Sequence, residues 1–213
     1  MIDLHMHSTF SDGELIPSEV VSRGLAAGYT HLAITDHVDP SNLELVVERM
    51  VHVCRELAGK VRAKVYPGVE ITHVPPRLIA PLAALARETG ARVVLVHGET
   101  IVEPVPKGTN RAAIEAGVDI LAHPGLITED EVRLAKRRGV LLEITSRRGH
   151  SLANGHVARL AMKTGAALVY NTDSHAPGDF TPWDAALKVI RGAGLGPGDA
   201  ARMQDNARKL IEG

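Results

Sequence analysis

The sequence of 213 residues is poor in cysteine and in aromatic residues. Cys54 is the only cysteine, so no internal disulfide can form, and the cysteine content gives no sign of an oxidising compartment. Phe, Trp and Tyr make up 3% of the residues, whereas hydrophobic residues reach 45%. The core must therefore be built from aliphatic side chains, which is typical of a parallel sheet wrapped in helices.

The chain also lacks an excess of charge and a long hydrophobic run. It has 24 basic and 25 acidic residues, which argues against electrostatic binding of nucleic acid or of an anionic membrane over an extended surface. No apolar run approaches the ~20 residues of a membrane span. The N-terminus has no basic segment followed by an apolar stretch. We therefore expect a cytoplasmic protein that binds no membrane and no extended nucleic acid, and whose anionic substrate, if any, is small.

Short β-branched runs alternate with longer helical patterns along the chain. The predicted strands cover residues 1–7, 31–36, 64–71, 92–97, 120–123, 140–144 and 167–173. The predicted helices cover residues 17–27, 42–58, 75–89, 110–116, 129–138, 154–163, 182–191 and 198–211. This alternation predicts an α/β fold with parallel strands and favours closure into a (β/α)7 TIM-like barrel, with an open doubly wound sheet as the alternative. The length fits a single domain, residues 1–213.

Side chains that can bind metal stand at the ends of six of the predicted strands. These residues are His5, His7, Asp36, His37, Glu70, His97, His123, Asp173 and His175. Barrel enzymes build their sites at the C-terminal ends of the strands. A buried cluster of imidazoles and carboxylates is costly unless a cation neutralises it. Nitrogen and oxygen ligands without thiolate suit zinc, iron or manganese, and more than four ligands imply more than one ion.

Five short motifs carry a resemblance to a known family. They are DLHMHSTFSDG at 3–13, TDH at 35–37, GVE at 68–70, AHPG at 122–125 and DSH at 173–175. In this order they resemble the polymerase and histidinol phosphatase (PHP) superfamily. The resemblance spans residues 2–175 and implies a distorted seven-stranded barrel that holds three metal ions.

The resemblance also implies a ligand set for each ion. The first ion would be held by His5, His7, Glu70 and Asp173, and the second by Glu70, His97 and His123, with Glu70 bridging the two. The third would be held by Asp12, His37 and His175. Amidohydrolase-like barrels and TatD-type nucleases also begin with His-x-His, but they lack this third set. The predicted strand 92–97 also lacks a lysine that could be carbamylated as in many amidohydrolases. We therefore prefer the PHP interpretation.

The resemblance implies a hydrolase that cleaves a small phosphomonoester, similar to histidinol phosphatase. With two to three divalent ions, a hydroxide bridging the first two is the expected nucleophile, and Asp173 and His175 are ligands around the reacting water and phosphate. Arg147 and Arg148 are candidates to orient the phosphate, because the planar guanidinium suits its oxygens, and Lys107 is a further candidate. The alternative is that both arginines are solvated loop residues.

Two other functions remain open at this point. The first is a PHP-type nuclease or nucleotide phosphodiesterase, although the low aromatic content disfavours base stacking. The second is a non-catalytic module that binds metal. His73 and His150 lie near the predicted rim without an assigned role, and Glu103 is interpreted as a loop carboxylate.

Overall fold

The computed structural model describes residues 1–213. The strands are β1 (Ile2–Asp3), β2 (His31–Ile34), β3 (His37–Val38), β4 (Lys64–Ile71), β5 (Val93–His97), β6 (Ile120–Ala122), β7 (Leu141–Thr145) and β8 (Leu168–Asn171). The α-helices are α1 (Pro17–Ala26), α2 (Leu43–Leu57), α3 (Ile79–Thr89), α4 (Thr109–Ala116), α5 (Glu129–Arg138), α6 (Asn154–Thr164), α7 (Trp183–Gly192) and α8 (Pro197–Glu212). Short 3-10 turns cover Pro76–Leu78, His150–Ala153 and Pro177–Asp179.

The strands form one parallel sheet that curls into a nearly closed barrel. Its order is β1, β2, β4, β5, β6, β7, β8, and β3 continues the line of β2 along the end of β4. The two edges meet after β1 and β8, where Met6 bridges to Ser174 and the His7 N–H donates to the Ser174 carbonyl at 2.8 Å. The predicted α/β barrel of seven parallel strands is confirmed, and the open sheet is not formed.

Two apolar clusters stabilise this barrel from opposite faces of the sheet. The larger cluster fills the layer between the strands and the surrounding helices, and includes Val94 and Val96 of β5. The smaller cluster fills the barrel interior, and includes Val93 and Leu95 of the same strand. Because alternate residues of a strand point to opposite faces, His97 continues the interior row and reaches the mouth of the barrel.

Helix α8 covers the opposite end of the barrel. Its residues Ala207 and Ile211 belong to the interior cluster. The Gln204 side chain accepts from the Ile2 N–H at 2.7 Å and donates to the Ile2 carbonyl at 3.2 Å. The N-terminal ends of the strands are therefore closed, and the C-terminal ends form the accessible mouth.

The first predicted strand, residues 1–7, is regular only at β1, so that prediction was too long. Side chains replace the sheet partner at alternate N–H groups: Asn171 accepts from Leu4 at 2.8 Å and Thr35 accepts from Met6 at 3.2 Å. The inward face also changes along this segment, since Leu4 belongs to the interior cluster and Met6 to the outer one. The local break turns the residues after Leu4 toward the barrel mouth.

Two other predicted elements differ in detail. The predicted strand 31–36 is divided into β2 and β3. The predicted helix 75–89 begins with a 3-10 turn at Pro76–Leu78, because Pro75 and Pro76 have no N–H groups to join a helical ladder. No helix has both the length and the apolar character needed to cross a membrane.

Gly125, which follows β6, provides a test of how tightly the mouth loops pack. Its φ is +59°, and a Cβ atom there would lie 1.9 Å from the Glu99 carbonyl oxygen. Gly117 has a similar φ of +67° but no atom within 4 Å of the same position. Gly117→Ala should cost about 1–2 kcal/mol through backbone conformation alone. Gly125→Ala should cost about 1–3 kcal/mol more because the Glu99 loop must move. If urea unfolding shows that the two variants lose the same free energy of unfolding, the tight packing around Gly125 is contradicted.

Candidate metal centre

The side chains at the barrel mouth come from interior rows of the strands and from two strained turns. Glu70 of β4 and His97 of β5 continue regular interior rows. His123 and Asp173 follow β6 and β8 with φ of +26° and +55°, a region that residues other than glycine rarely adopt. Such strain persists only where the surrounding structure enforces it, and it concentrates at functional sites.

Glu70 lies at the centre of the cluster and is fully buried. Its Oε2 lies 3.3 Å from His5 Nε2, 3.5 Å from His7 Nε2 and 2.9 Å from His37 Nδ1. Its Oε1 lies 3.5 Å from His123 Nε2. One carboxylate therefore faces four imidazoles, an arrangement suited to bridging two cations.

Asp173 faces the same imidazoles from the other side of the barrel. Its Oδ1 lies 3.5 Å from His5 Nε2 and 3.2 Å from His7 Nε2, and its Oδ2 lies 3.6 Å from His123 Nε2. Glu70 and Asp173 thus enclose the ring nitrogens of His5, His7 and His123 between two carboxylates.

A third group, Asp12 with His37 and His175, lies at the outer edge of this cluster. Asp12 Oδ1 lies 3.5 Å from His37 Nε2 and 3.2 Å from His175 Nε2. His37 Nδ1 lies 2.6 Å from Thr72 Oγ1, and His175 Nδ1–H donates to the Asp173 carbonyl at 2.9 Å. Because the Nδ1 atoms have these partners, both rings present Nε2 to Asp12.

His97 and His123 form a fourth group with His150, in which the ligand nitrogens lie within 4.8 Å of one another. The His150 and His123 rings are stacked with centroids 4.1 Å apart. Glu103, in the loop after β5, lies with its Oε2 3.0 Å from His97 Nε2 and 3.1 Å from His73 Nε2. Glu103 is a loop carboxylate, as the sequence predicted, but its side chain turns into the mouth, which the sequence did not predict.

Buried polar groups behind the cluster hold its imidazoles in place. His5 Nδ1–H donates to Glu143 Oε1 at 2.8 Å, so the ring directs Nε2 at Glu70 and Asp173. Glu143 also accepts from the His123 N–H at 3.0 Å and from the Asn171 amide at 2.8 Å. Glu143 stands on the interior row of β7, and sequence reasoning missed it. A charged residue inside an otherwise apolar strand was the available signal.

A second buried carboxylate holds the turn that carries Asp12. Asp36 accepts from the Ser8 N–H and hydroxyl, both at 2.7 Å, and from the Ser11 hydroxyl at 2.7 Å. These bonds fix the segment after β1 against the break between β2 and β3. Asp12 consequently reaches the mouth from a loop, with its side chain 57% exposed.

The residues present fit divalent cations. Buried ring nitrogens and carboxylate oxygens have no hydrogen-bond partner at His5 Nε2, at both nitrogens of His7, at both oxygens of Glu70, at His123 Nδ1 and at Asp173 Oδ1. Leaving such atoms unpaired away from water is costly. Two ligands about 2.1 Å from one ion are separated by about 3.0 to 3.4 Å at octahedral or tetrahedral angles, close to the spacings found here. Cations among these side chains would satisfy the unpaired atoms.

The electrostatics of the buried groups also reflect their crowding. Burial opposes the charged form of His5, but the carboxylates around it raise its pKa well above the ordinary value. Burial and neighbouring imidazoles lower the pKa of His7 well below that value. Burial raises the pKa of Asp173. Adjacent groups are therefore driven to different protonation states. A bound cation would stabilise neutral imidazoles beside ionised carboxylates instead.

The cluster opens into a cavity of about 240 Å³ without any apolar side chain in its wall. The lining residues are Asp12, His37, Thr72, His73, His97, Glu103, Arg147, His150, Asp173 and His175. Arg147 is half-buried and donates to Asp179 Oδ2 at 3.0 Å. Lys107 and Arg148 are exposed and do not line the cavity. The structure brings all nine predicted metal ligands to this mouth, but only Arg147 of the three predicted phosphate-binding residues.

Replacing Glu143 tests whether it positions the metal-binding face of His5. Glu143→Gln keeps the size of the side chain but removes the charge that fixes His5 Nδ1–H. We expect an approximately 10- to 100-fold loss of Zn²⁺ affinity, measured by competition with a chromophoric chelator, because outer partners of ligands have effects of this size. Glu88→Gln, at an exposed position of α3, is the control. Unchanged affinity in Glu143→Gln would rule out the positioning role.

Comparison with known proteins places the chain among relatives of the same fold. Residues 3–102 match the PHP domain family. An uncharacterized protein of Methanocaldococcus jannaschii is 46% identical over 196 residues, which cover 91% of this chain and 89% of that protein. The DNA polymerase/3'-5' exonuclease PolX of Bacillus subtilis is 27% identical over 194 residues, which cover 81% of this chain and 34% of that protein.

A solved structure agrees with the sequence relatives. Histidinol phosphate phosphatase from Lactococcus lactis, crystallised with zinc, L-histidinol and phosphate, aligns with a TM-score of 0.62 and 17% identity. The alignment covers 92% of this chain and 94% of that one, and at this identity it concerns the fold. With the motif order and the barrel, the match of residues 3–102 shows that the chain belongs to the PHP domain family.

Proposed function

We propose that this protein is a metal-dependent phosphoesterase that hydrolyses a small phosphomonoester. The observation that carries the proposal is the convergence of unpaired buried imidazoles and carboxylates beside a cavity that has a polar wall and an arginine. A merely structural zinc site would be closed and four-coordinate. This cluster has more ligands than one ion needs, and it opens to solvent.

The proposed ligand sets follow the contacts between the side chains. Glu70 and Asp173 with His5 and His7 would hold one ion, Glu70 with His97 and His123 a second, and Asp12 with His37 and His175 a third. Zinc, iron and manganese suit these nitrogen and oxygen donors. Ions so held would supply a nucleophilic water at neutral pH and would neutralise charge on a phosphoryl group.

Arg147 is the residue of this chain placed to orient a phosphate. Arg147 is one of the residues that line the cavity, and the fork of donors on its guanidinium matches phosphate oxygens. Asp179 holds it on one side at 3.0 Å and also accepts from the His175 and Ala176 N–H groups. The arginine is therefore fixed relative to His175, while its remaining donors are free for a ligand.

The cavity wall favours a small polar substrate. None of its ten lining residues is hydrophobic, and histidine is the only aromatic type among them. A nucleic-acid strand would need stacking platforms and a charged groove, and the chain has a net charge of −1. A PHP-type nuclease is nevertheless the second candidate, because the similarity to PolX extends over 194 residues.

A substrate panel separates the two candidates. Protein reconstituted with Mn²⁺ or Zn²⁺ should bind two to three ions per chain by mass spectrometry. Its highest kcat/KM should be for a phosphomonoester in a panel of histidinol phosphate, other sugar and amino-alcohol phosphates, nucleoside bisphosphates and short oligonucleotides. Metal removal or Asp173→Asn should abolish turnover. Highest kcat/KM on oligonucleotides would favour the nuclease, and fewer than two ions without turnover would contradict both.

Neighbouring arginines provide a matched test of phosphate binding. Arg147→Ala should raise KM for the preferred phosphomonoester by tenfold or more, because a charged hydrogen bond contributes about 1.5–3 kcal/mol. Arg148→Ala removes the same charge from an exposed position outside the cavity and should change KM less than twofold. Equal effects of the two substitutions on KM would show that only the general positive charge of the loop matters.

A further inference from the structure

The loop between β5 and α4 is built to hold one carboxylate over the cavity. Glu99 Oε1 accepts from the Gly108 and Asn110 N–H groups at 2.9 and 3.0 Å, which ties the loop ends together. The Asn110 side chain accepts from the Glu99 N–H and donates to the Pro124 carbonyl, both at 2.9 Å. The loop is therefore anchored to the barrel at both ends, and Glu103 lies at its centre.

The backbone beyond Glu103 is stiff as well. Pro104 restricts the conformation of the residue before it, and Pro106 follows two residues later. Thr100 Oγ1 lies 2.7 Å from His150 Nδ1, which links the loop to the segment after β7. Glu103 is thus directed into the mouth by a constrained loop.

Three imidazoles surround the Glu103 carboxylate. Oε2 lies 3.0 Å from His97 Nε2 and 3.1 Å from His73 Nε2, and Oε1 lies 3.4 Å from His150 Nε2. The carboxylate is therefore directed at the same ring nitrogen of His97 that faces the cluster, which is the direction a metal ligand needs.

The position of His97 indicates whether Glu103 accepts a hydrogen bond from this histidine or shares an ion with it. His97 Nδ1–H donates to the Gly98 carbonyl at 3.2 Å, so only Nε2 is available to an ion. Once Nε2 binds an ion it has no proton to donate to Glu103. A separation of 3.0 Å between Nε2 and Oε2 matches two ligands at about 90° on one ion with bonds of about 2.1 Å. The carboxylate can therefore remain where it is by binding the ion.

We propose that Glu103 is a further ligand for the ion that His97 would hold. The proposal rests on the metal centre of the proposed function and adds a tenth side chain to it. His73 and His150 orient the carboxylate through their Nε2 atoms. Because Glu103 comes from the β5–α4 loop, binding of the ion also fixes that loop.

Metal affinity tests this assignment directly. Glu103→Gln should lower the affinity for one Zn²⁺ by at least about tenfold in chelator competition, the lower limit for residues that merely orient a ligand. Glu103→Asp should recover part of it. Zn²⁺ should slow hydrogen exchange across residues 99–108 in the wild type but not in Glu103→Gln. Glu14→Gln, on an exposed glutamate after the Asp12 turn, should match the wild type. Thermal unfolding of the metal-free proteins checks that each variant folds.

The outcomes separate this proposal from the proposed function. If the wild type binds two to three ions and Glu103→Gln binds them with equal affinity, the assignment of Glu103 is overturned while the metal centre stands. Equal affinity with reduced turnover would also overturn it, since Glu103 would then act without binding the ion. If the wild type binds fewer than two ions, the proposed function fails.

Discussion

Four imidazoles face one buried carboxylate, Glu70, and this crowding is the constraint on which the rest of the barrel mouth depends. Its charge is fully desolvated and lacks hydrogen-bond partners for both oxygens. The pKa of Glu70 is held well below its ordinary value because nearby imidazoles outweigh the effect of burial. Such a group is stable only if positive charge stays close to it. The surrounding backbone is arranged to keep that charge in place.

The fold meets this requirement by giving up regular strand pairing at the mouth. After β1, side chains of Asn171, Thr35 and Asp36 accept from the alternate N–H groups of Leu4, Met6 and Ser8, which a neighbouring strand would otherwise bind. The interrupted ladder lets the chain turn more residues inward than strict alternation permits. His5 and His7 reach the centre in this way. Irregular backbone near the site is thus the means by which a narrow barrel presents many ligands.

The sequence predicts the regular part of this design well. Alternation along β4 and β5 places Glu70 and His97 on interior rows, and the repeated strand and helix pattern predicts the barrel. Glu143 was missed because the spacing of a single carboxylate in an apolar strand does not indicate which side chain it will contact, here His5. The inward direction of Glu103 was not predicted, because it depends on Glu99, Asn110 and the prolines acting together, a tertiary arrangement that local propensity does not encode.

The same distinction separates the two kinds of carboxylate at the centre. Glu70 and Glu143 come from strands and are fully buried, so their positions are fixed once the barrel closes. Asp12 and Glu103 come from loops, and their side chains are 57% and 37% exposed. In the proposed metal centre, strand residues would therefore set where cations can lie, whereas loop residues would control how readily each cation meets solvent and substrate. Changes in affinity or specificity between relatives of this fold should arise first in the loops, since altering a strand ligand leaves buried charges uncompensated.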